Sequence, residues 1–241
     1  MSLSDTRTAM PVDVVSDVVC PWCFIGKRRL EKAMALAPDI PLSVRWRPYF
    51  LNPWVPREGI GRTEYLTTKF GSVETYARIA ERIAAAAEAE GLVYRVEAIA
   101  RQPNTLDCHR LIRWAGANGA AGSGEAAGRM KQRLMELYFS EGADLTARDV
   151  LVQAAVDCGM DADETRKRIT SDADELEVTA EAMAASNAGV EGVPCFIFGG
   201  VLAVAGAQAP DYLAGALARA FAQFERRLAA GEIANPEARP Y

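Results

Sequence analysis

Residues 14–36 read VVSDVVCPWCFIGKRRLEKAMAL. A β-branched run leads into two cysteines two residues apart, and a basic, helix-favouring segment follows. Residues 12–19 (VDVVSDVV) have the length and composition of a strand, while 20–37 place Leu30, Met34 and Ala37 on one helical face. The reading is strand, turn, helix. Cys20 stands at the junction, Pro21 takes the first helical position, where a missing N–H leaves nothing unpaired, and Cys23 lies one turn inside. The free N–H groups and positive end of a helix favour a thiolate at Cys20. Cys20 is therefore the candidate nucleophile, and Cys23, expected to be more buried, is the thiol that resolves a mixed disulfide. Two rival readings of the pair are a chance meeting of core cysteines and a zinc site. Zinc wants four ligands; beyond the pair the chain offers Cys108, His109, Cys158 and Cys195, with no second Cys-x-x-Cys and no His pair. No metal is expected.

The rest of the composition limits what such thiols serve. A chain of 241 residues, 50% hydrophobic and 24% charged, has an ordinary globular balance and can bury a sizeable core. Its net charge of -5 comes from interspersed acids and bases, with no basic stretch interleaved with aromatics to track a phosphate backbone. Nucleic acid is not an expected partner. The opening MSLSDTRTAMPVDVV has no signal-like apolar segment, and nothing later approaches ~18 uninterrupted apolar residues, so a cytoplasmic protein without a membrane partner is expected. In a reducing compartment, five scattered cysteines argue for chemistry over a disulfide framework.

Outward from the pair, LSVRWRPYF at 42–50 alternates as a second strand. After the Pro- and Gly-rich LNPWVPREGIGR, more than a hundred residues rich in Ala, Glu, Arg and Leu read as helices separated by glycines. The acid-rich DADETRKRITSDADELE reads as a solvated helical face. Strand character returns at CFIFGG and VLAVAG, a hairpin, before the amphipathic APDYLAGALARAFAQFERRLAAG closes the chain. A lone hairpin makes no stable sheet, so the early strands must be its neighbours. The expected fold is α/β: a discontinuous core from 11–60 and 186–230, a helical insertion over 61–185, and a tail over 231–241.

The ordered set SDVVCPWCFIGKRRLE, RWRPYFLNP, NTLDCHRLIRWA, EGVPCFIF and GAQ resembles the DsbA-like thioredoxin-fold family over about residues 12–230, and within it the cytoplasmic FrnE-like branch. That branch is related to kappa-class glutathione transferases and 2-hydroxychromene-2-carboxylate isomerases. The resemblance implies a thioredoxin-like core sheet interrupted by an all-helical insertion. It makes Val193-Pro194 the cis-proline loop beside the Cys pair, with the Val193 backbone open to an extended peptide or to glutathione. It implies that Gly206, Ala207 and Gln208 bind an anion through backbone N–H groups, against a plain helix start. Asn52 and Asn104 would line the pocket above the thiol, or serve as turn and cap residues. Trp22 would cover the pair, or pack against the inserted helices. Cys195, Cys108 and Cys158 read as core, with a part in the redox chemistry as the alternative for each, and the lone His109 as structural.

The resulting expectation is a thiol-disulfide oxidoreductase, working as reductase or disulfide isomerase on disulfide-containing proteins or peptides. No tightly bound cofactor is implied; glutathione is the candidate cosubstrate. The alternatives are a glutathione-dependent isomerase or transferase acting on a small aromatic or electrophilic compound, and a non-enzymatic client-binding module. Paired cysteines depart from the glutathione-using relatives, which usually carry serine at the first position and lack the pair. Those relatives also suggest a homodimer.

Overall fold

The computed structural model describes residues 7–117 and 123–233; of the expected tail over 231–241, the part from 234 onward lies outside the described residues. Strand β1 (Met10–Ser16) leads to helix α1 (Pro21–Ala35) and strand β2 (Leu42–Pro48). Strands β1 and β2 pair in parallel, with Val12 opposite Val44 and Val14 opposite Trp46. The β1 strand ends at Ser16, three residues before the β-branched run does. Asp17 to Cys20 form a turn, the Cys20 N–H donating to the Asp17 carbonyl at 3.3 Å. Val18 and Val19 are apolar because they are buried beneath the insertion, not because they extend the strand.

The insertion opens with a two-residue strand β3 (Ile60–Gly61) and helices α2 (Arg62–Phe70) and α3 (Val73–Ala89). Strand β4 (Arg101–Gln102) pairs back on β3, a ladder too short to show as a period in the sequence. Helices α4 (Leu106–Gly116), α5 (Ser123–Phe139), α6 (Arg148–Asp157), α7 (Ala162–Ile169) and α8 (Glu175–Asn187) follow. The acid-rich stretch is thus two helices, and its acids have local work: Asp161 caps α7 by accepting the Glu164 N–H, and Asp174 accepts the Trp114 indole N–H. Between α7 and α8, the fully buried Arg110 of α4 donates to the carbonyls of Arg168, Ser171 and Ala173, tying the connection between the two helices to α4.

The chain then returns to the sheet. Strand β5 (Cys195–Phe198) runs antiparallel to β1, and β6 (Leu202–Ala205) antiparallel to β5, joined by Gly199 and Gly200 at φ +60° and +67°. That turn needs the left-handed backbone that glycine adopts without strain. The sheet order is β2-β1-β5-β6. Helix α9 (Pro210–Ala229) packs with α1 on one face of this sheet, where Leu30, Leu213, Leu217 and Phe224 bury Val12, Val14, Phe196 and Phe198. A second core joins the two parts of the fold. Phe24 and Ile25 of α1 pack there with Leu111 of α4, Leu134 of α5 and Leu151 of α6, and Phe24 stacks on Phe139 at 5.5 Å between centroids. The sheet-bearing core and the helical insertion are therefore held by shared apolar burial, with the Cys pair at the junction.

Candidate active site

Cys20 is the N-cap residue of α1, in extended conformation, and Pro21 is the first helical residue. No side chain caps this helix end; Pro21 has no N–H, and the Cys23 and Phe24 N–H groups donate to the Cys20 carbonyl at 3.0 and 3.2 Å. Both thiols are buried, Cys20 at 4% exposure and Cys23 at 2%, and both are free. Trp22 lies on the surface between them, 37% exposed, outside the apolar cores.

The chain returns to the pair through the loop before β5. The Val193-Pro194 peptide is cis, and the Cys20 thiol donates to the Val193 carbonyl at 3.5 Å. This contact depends on Gly26, one turn beyond Cys23: a Cβ there would stand 2.8 Å from Pro194 Cγ and 3.3 Å from Phe196. The 206–208 loop seals the other side. Its N–H groups at Gly206 and Gln208 are spent within the chain, on the Pro194 and Gly206 carbonyls, and the Ala207 carbonyl accepts Arg29 of α1 at 2.6 Å. Helix α9 begins only at Pro210, which has no N–H. The loop is thus built as a brace between Pro194 and α1.

Of the two asparagines, Asn104 is engaged at both ends of its amide: it donates to the Val55 carbonyl and accepts the Leu106 N–H, an Asx turn leading into α4. Asn52 is different. It is buried, its Oδ1 accepts from Lys69 Nζ at 2.5 Å and from the Tyr65 hydroxyl, and its Nδ2 has no partner among the described residues. Burial lowers the Lys69 ammonium, against smaller opposing pulls from Cys20 and Asp17.

Beneath the pair is a set of polar groups that no local motif announces. Asp17, fully buried, accepts the Leu51 N–H at 2.9 Å and lies 3.2 Å from His109 Nε2. Burial would raise its carboxyl, but His109, the Leu51 N–H and the Lys131 charge outweigh that and hold it below the ordinary carboxylate range. His109, read from the sequence as structural, is buried against Asp17, three residues before Cys20. Lys131 of α5 is 1% exposed, and burial lowers its ammonium against opposing pulls from Cys23, Asp17 and Cys20. For Cys23, burial above all, then the hydrogen bond and charge of Cys20, push the thiol well up, against smaller opposing pulls from Lys131 and the Asp17 backbone. Two signals in the sequence mark this cluster in retrospect: a carboxylate inside VVSDVV, and a lysine on the same helical face as Gly128, Met135 and Tyr138.

Cys195 and Cys108 are buried and Cys158 is half-buried, and burial is the largest influence raising each of these thiols. Among the described residues, no three His, Cys, Asp or Glu side chains converge as metal ligands, and no helix is long and apolar enough to cross a membrane.

With this geometry in place, the comparisons with known proteins have a clear bearing. A probable DsbA oxidoreductase from Streptomyces coelicolor is 30% identical, with a TM-score of 0.79 over 89% of this chain and 91% of its own. A 2-hydroxychromene-2-carboxylate isomerase is 17% identical, with a TM-score of 0.62 over 93% and 100% of the two chains. The cytosolic disulfide reductase DsbM from Pseudomonas aeruginosa, solved with GSH, is 15% identical, with a TM-score of 0.58 over 90% and 98%. A search of curated protein sequences gives no significant match. The model of the DSBA-like thioredoxin domain matches residues 11–218, spanning the first strand, the Cys pair, the whole insertion and the cis-proline hairpin. By that match, and by the identity and coverage shared with the Streptomyces oxidoreductase, the chain belongs to the DSBA-like thioredoxin family.

Proposed function

We propose that this protein is a cytoplasmic thiol-disulfide oxidoreductase, acting as reductase or disulfide isomerase through the Cys20/Cys23 dithiol. The observation that carries the reading is the placement of Cys20: N-cap of α1, with its sulfur at the Val193 carbonyl and Cys23 one turn behind. In the reductive direction, the Cys20 thiolate attacks one sulfur of a substrate disulfide; that S–S bond breaks and the other substrate sulfur leaves as a thiolate that takes up a proton. Cys23, having lost its own proton, attacks Cys20 and releases the second substrate thiol. The substrate gains two electrons and the protein is left with a Cys20–Cys23 disulfide, which two thiols of the glutathione class return to the dithiol, leaving as their own disulfide. In the isomerase direction, the released substrate thiolate opens another disulfide of its own chain, the thiolate freed there attacks the substrate sulfur of the mixed disulfide, and Cys20 leaves as a thiolate that takes up a proton, returning the protein to the dithiol.

Cys20→Ser should abolish reduction of insulin disulfides, and Cys23→Ser should accumulate a mixed disulfide with substrate, visible by mass spectrometry. Full insulin reduction by Cys20→Ser would end this reading.

A second reading, in which glutathione itself supplies the reacting sulfur for an isomerase or transferase, draws on Asn52 and Lys69. The buried Asn52 Nδ2, without a partner among the described residues, and the Lys69 ammonium on Asn52 Oδ1 are donors suited to the carboxylates of an acidic tripeptide. Calorimetry with glutathione on the Cys20→Ser/Cys23→Ser double variant separates the two. Saturable binding without either thiol favours the second; binding that vanishes with the thiols favours the first.

A further inference from the structure

The resolving step asks a thiol buried in the fold to ionise there. Cys23 is 2% exposed, and burial is the largest influence keeping its proton on. A thiolate at that depth needs a counter-charge. The charged and titratable groups around it come from several elements. On α1 itself, Cys20 raises the Cys23 thiol, and Lys27, one turn further on, is held by Glu31. In the turn before α1, the Asp17 carboxylate is taken by His109 of α4 and by the Leu51 N–H. Burial holds the proton on Cys108 of α4, and Lys69 of α2 sits on Asn52. Lys131 of α5 remains. It is the cation whose charge lowers the Cys23 thiol, and Cys23 is in turn the first of the groups that pull its ammonium back up.

Packing fixes where that ammonium stands. Gly124, Gly128 and Lys131 follow one another along one face of α5, and Trp46 of β2 lies on that face. Its indole N–H donates to the Gly124 carbonyl at 3.1 Å, a Cβ at Gly128 would stand 3.1 Å from its Nε1, and its ring is 5.7 Å from Lys131 Nζ. The same ring lies 5.7 Å from Nζ of Lys27, four residues beyond Cys23 on α1. Met130 and Leu134, which flank Lys131 on α5, share one apolar core with both thiols. Lys131 is 1% exposed and forms no ion pair with a carboxylate among the described residues; the carboxylate that acts on it, Asp17, is paired with His109. A buried ammonium in that state is costly, and a thiolate forming nearby reduces the cost.

We propose that Lys131 is a positioning residue for the resolving half-reaction, its buried ammonium stabilising Cys23 as the thiolate once Cys20 is tied to substrate. The inference rests on the thiol-disulfide reading above. In the mixed disulfide Cys20 carries no charge, so its opposition to a Cys23 thiolate is gone and the attraction of Lys131 remains. The Cys23 proton passes to a solvent base such as hydroxide, and the thiolate attacks the Cys20 sulfur. The Cys20–substrate S–S bond breaks as the Cys20–Cys23 bond forms, and the departing substrate thiolate takes up a proton.

The probe is dithiobis(nitrobenzoate), mixed in stopped flow with an excess of the reduced full-length protein. Attack by Cys20 releases one thionitrobenzoate and resolution by Cys23 releases the second, so the two half-reactions appear as separate phases. Lys131→Met is close in length and uncharged. It should slow the second phase by about tenfold at neutral pH and move its pH profile up by about one unit, with the wild-type rate regained at high pH. Lys131→Arg, which keeps the charge, should stay nearer to the wild-type profile. The proposal is overturned by a second phase in Lys131→Met that matches wild type, by slowing that is equal at every pH, the mark of lost packing alone, or by equal shifts in the Met and Arg variants. Should Lys131→Met not fold, Lys131→Gln is read in the same way. A wild-type protein that releases no second thionitrobenzoate overturns the dithiol reading itself, and this inference with it.

Discussion

Cys23 holds its proton more firmly than an ordinary thiol because it is buried beside Cys20. The resolving step needs Cys23 as thiolate, so its rate should climb with pH, by about tenfold per unit while the protonated form dominates. Single-turnover trapping of the mixed disulfide between about pH 6 and about pH 9 measures this; a flat profile would remove the argument. The same proton enters stability. Folded Cys23 and Cys108 keep protons that the unfolded chain gives up near about pH 8.5, so their contribution is full below that value and is lost as pH rises through the folded values. The urea midpoint of the reduced protein should therefore fall between about pH 8 and about pH 10. Asp17 has the opposite sign: its depressed carboxyl contributes above about pH 3.9, and that contribution disappears as pH falls through the folded value. Asp17→Ala leaves the Leu51 N–H and His109 Nε2 unpartnered and should cost about 1–3 kcal/mol for each buried group, read in urea at neutral pH.

At the scale of elements, the decisive contact is between α1 and the loop before β5. Replacing Gly26 by alanine gains about 1 kcal/mol of helix propensity. The added Cβ meets Pro194 Cγ at 2.8 Å, a ring fixed in its loop, and overpacking of that kind costs about 1–3 kcal/mol. Overpacking wins, and it moves the loop whose carbonyl receives the Cys20 thiol. Gly26→Ala should therefore lower the urea midpoint and reduce insulin turnover together; a more stable variant with full turnover would contradict the packing. Arg110 plays the corresponding part in the insertion, because its guanidinium joins Asp107 to three carbonyls between α7 and α8. Arg110→Met should cost about 3–5 kcal/mol, the range for breaking a buried ion pair, measured by equilibrium unfolding.

Over the whole molecule, the apolar core that includes Phe24, Leu111, Leu134 and Phe139 belongs to both the sheet-bearing core and the insertion. Arg29 adds a polar tie, from α1 to Glu90 at the end of α3 and to the 206–208 loop. Neither part encloses its own apolar surface. We therefore expect a single unfolding transition in which tryptophan fluorescence and far-ultraviolet circular dichroism coincide, and an isolated 61–185 segment that does not fold. Two separated transitions would show that the boundaries near 61 and 185 mark independent units.

The local pattern of residues 14–36 was enough to determine a strand, a proline-started helix and two thiols at its head, because period, propensity and helix-end chemistry act over a few neighbours. The β5–β6 hairpin was legible for the same reason, through its paired glycines. The strand's end was not: Val18 and Val19 carry strand composition but answer to burial under the insertion. Only the tertiary structure decided which side chains surround the thiols. Asp17, His109, Lys69 and Lys131 come from four separate places in the chain, and Gly26 serves a proline from the far end of it. Electrostatic and packing contacts follow distance in space, and distance in space between residues so far apart in sequence is set by the closing of the sheet over α1 and by the shared core beneath it.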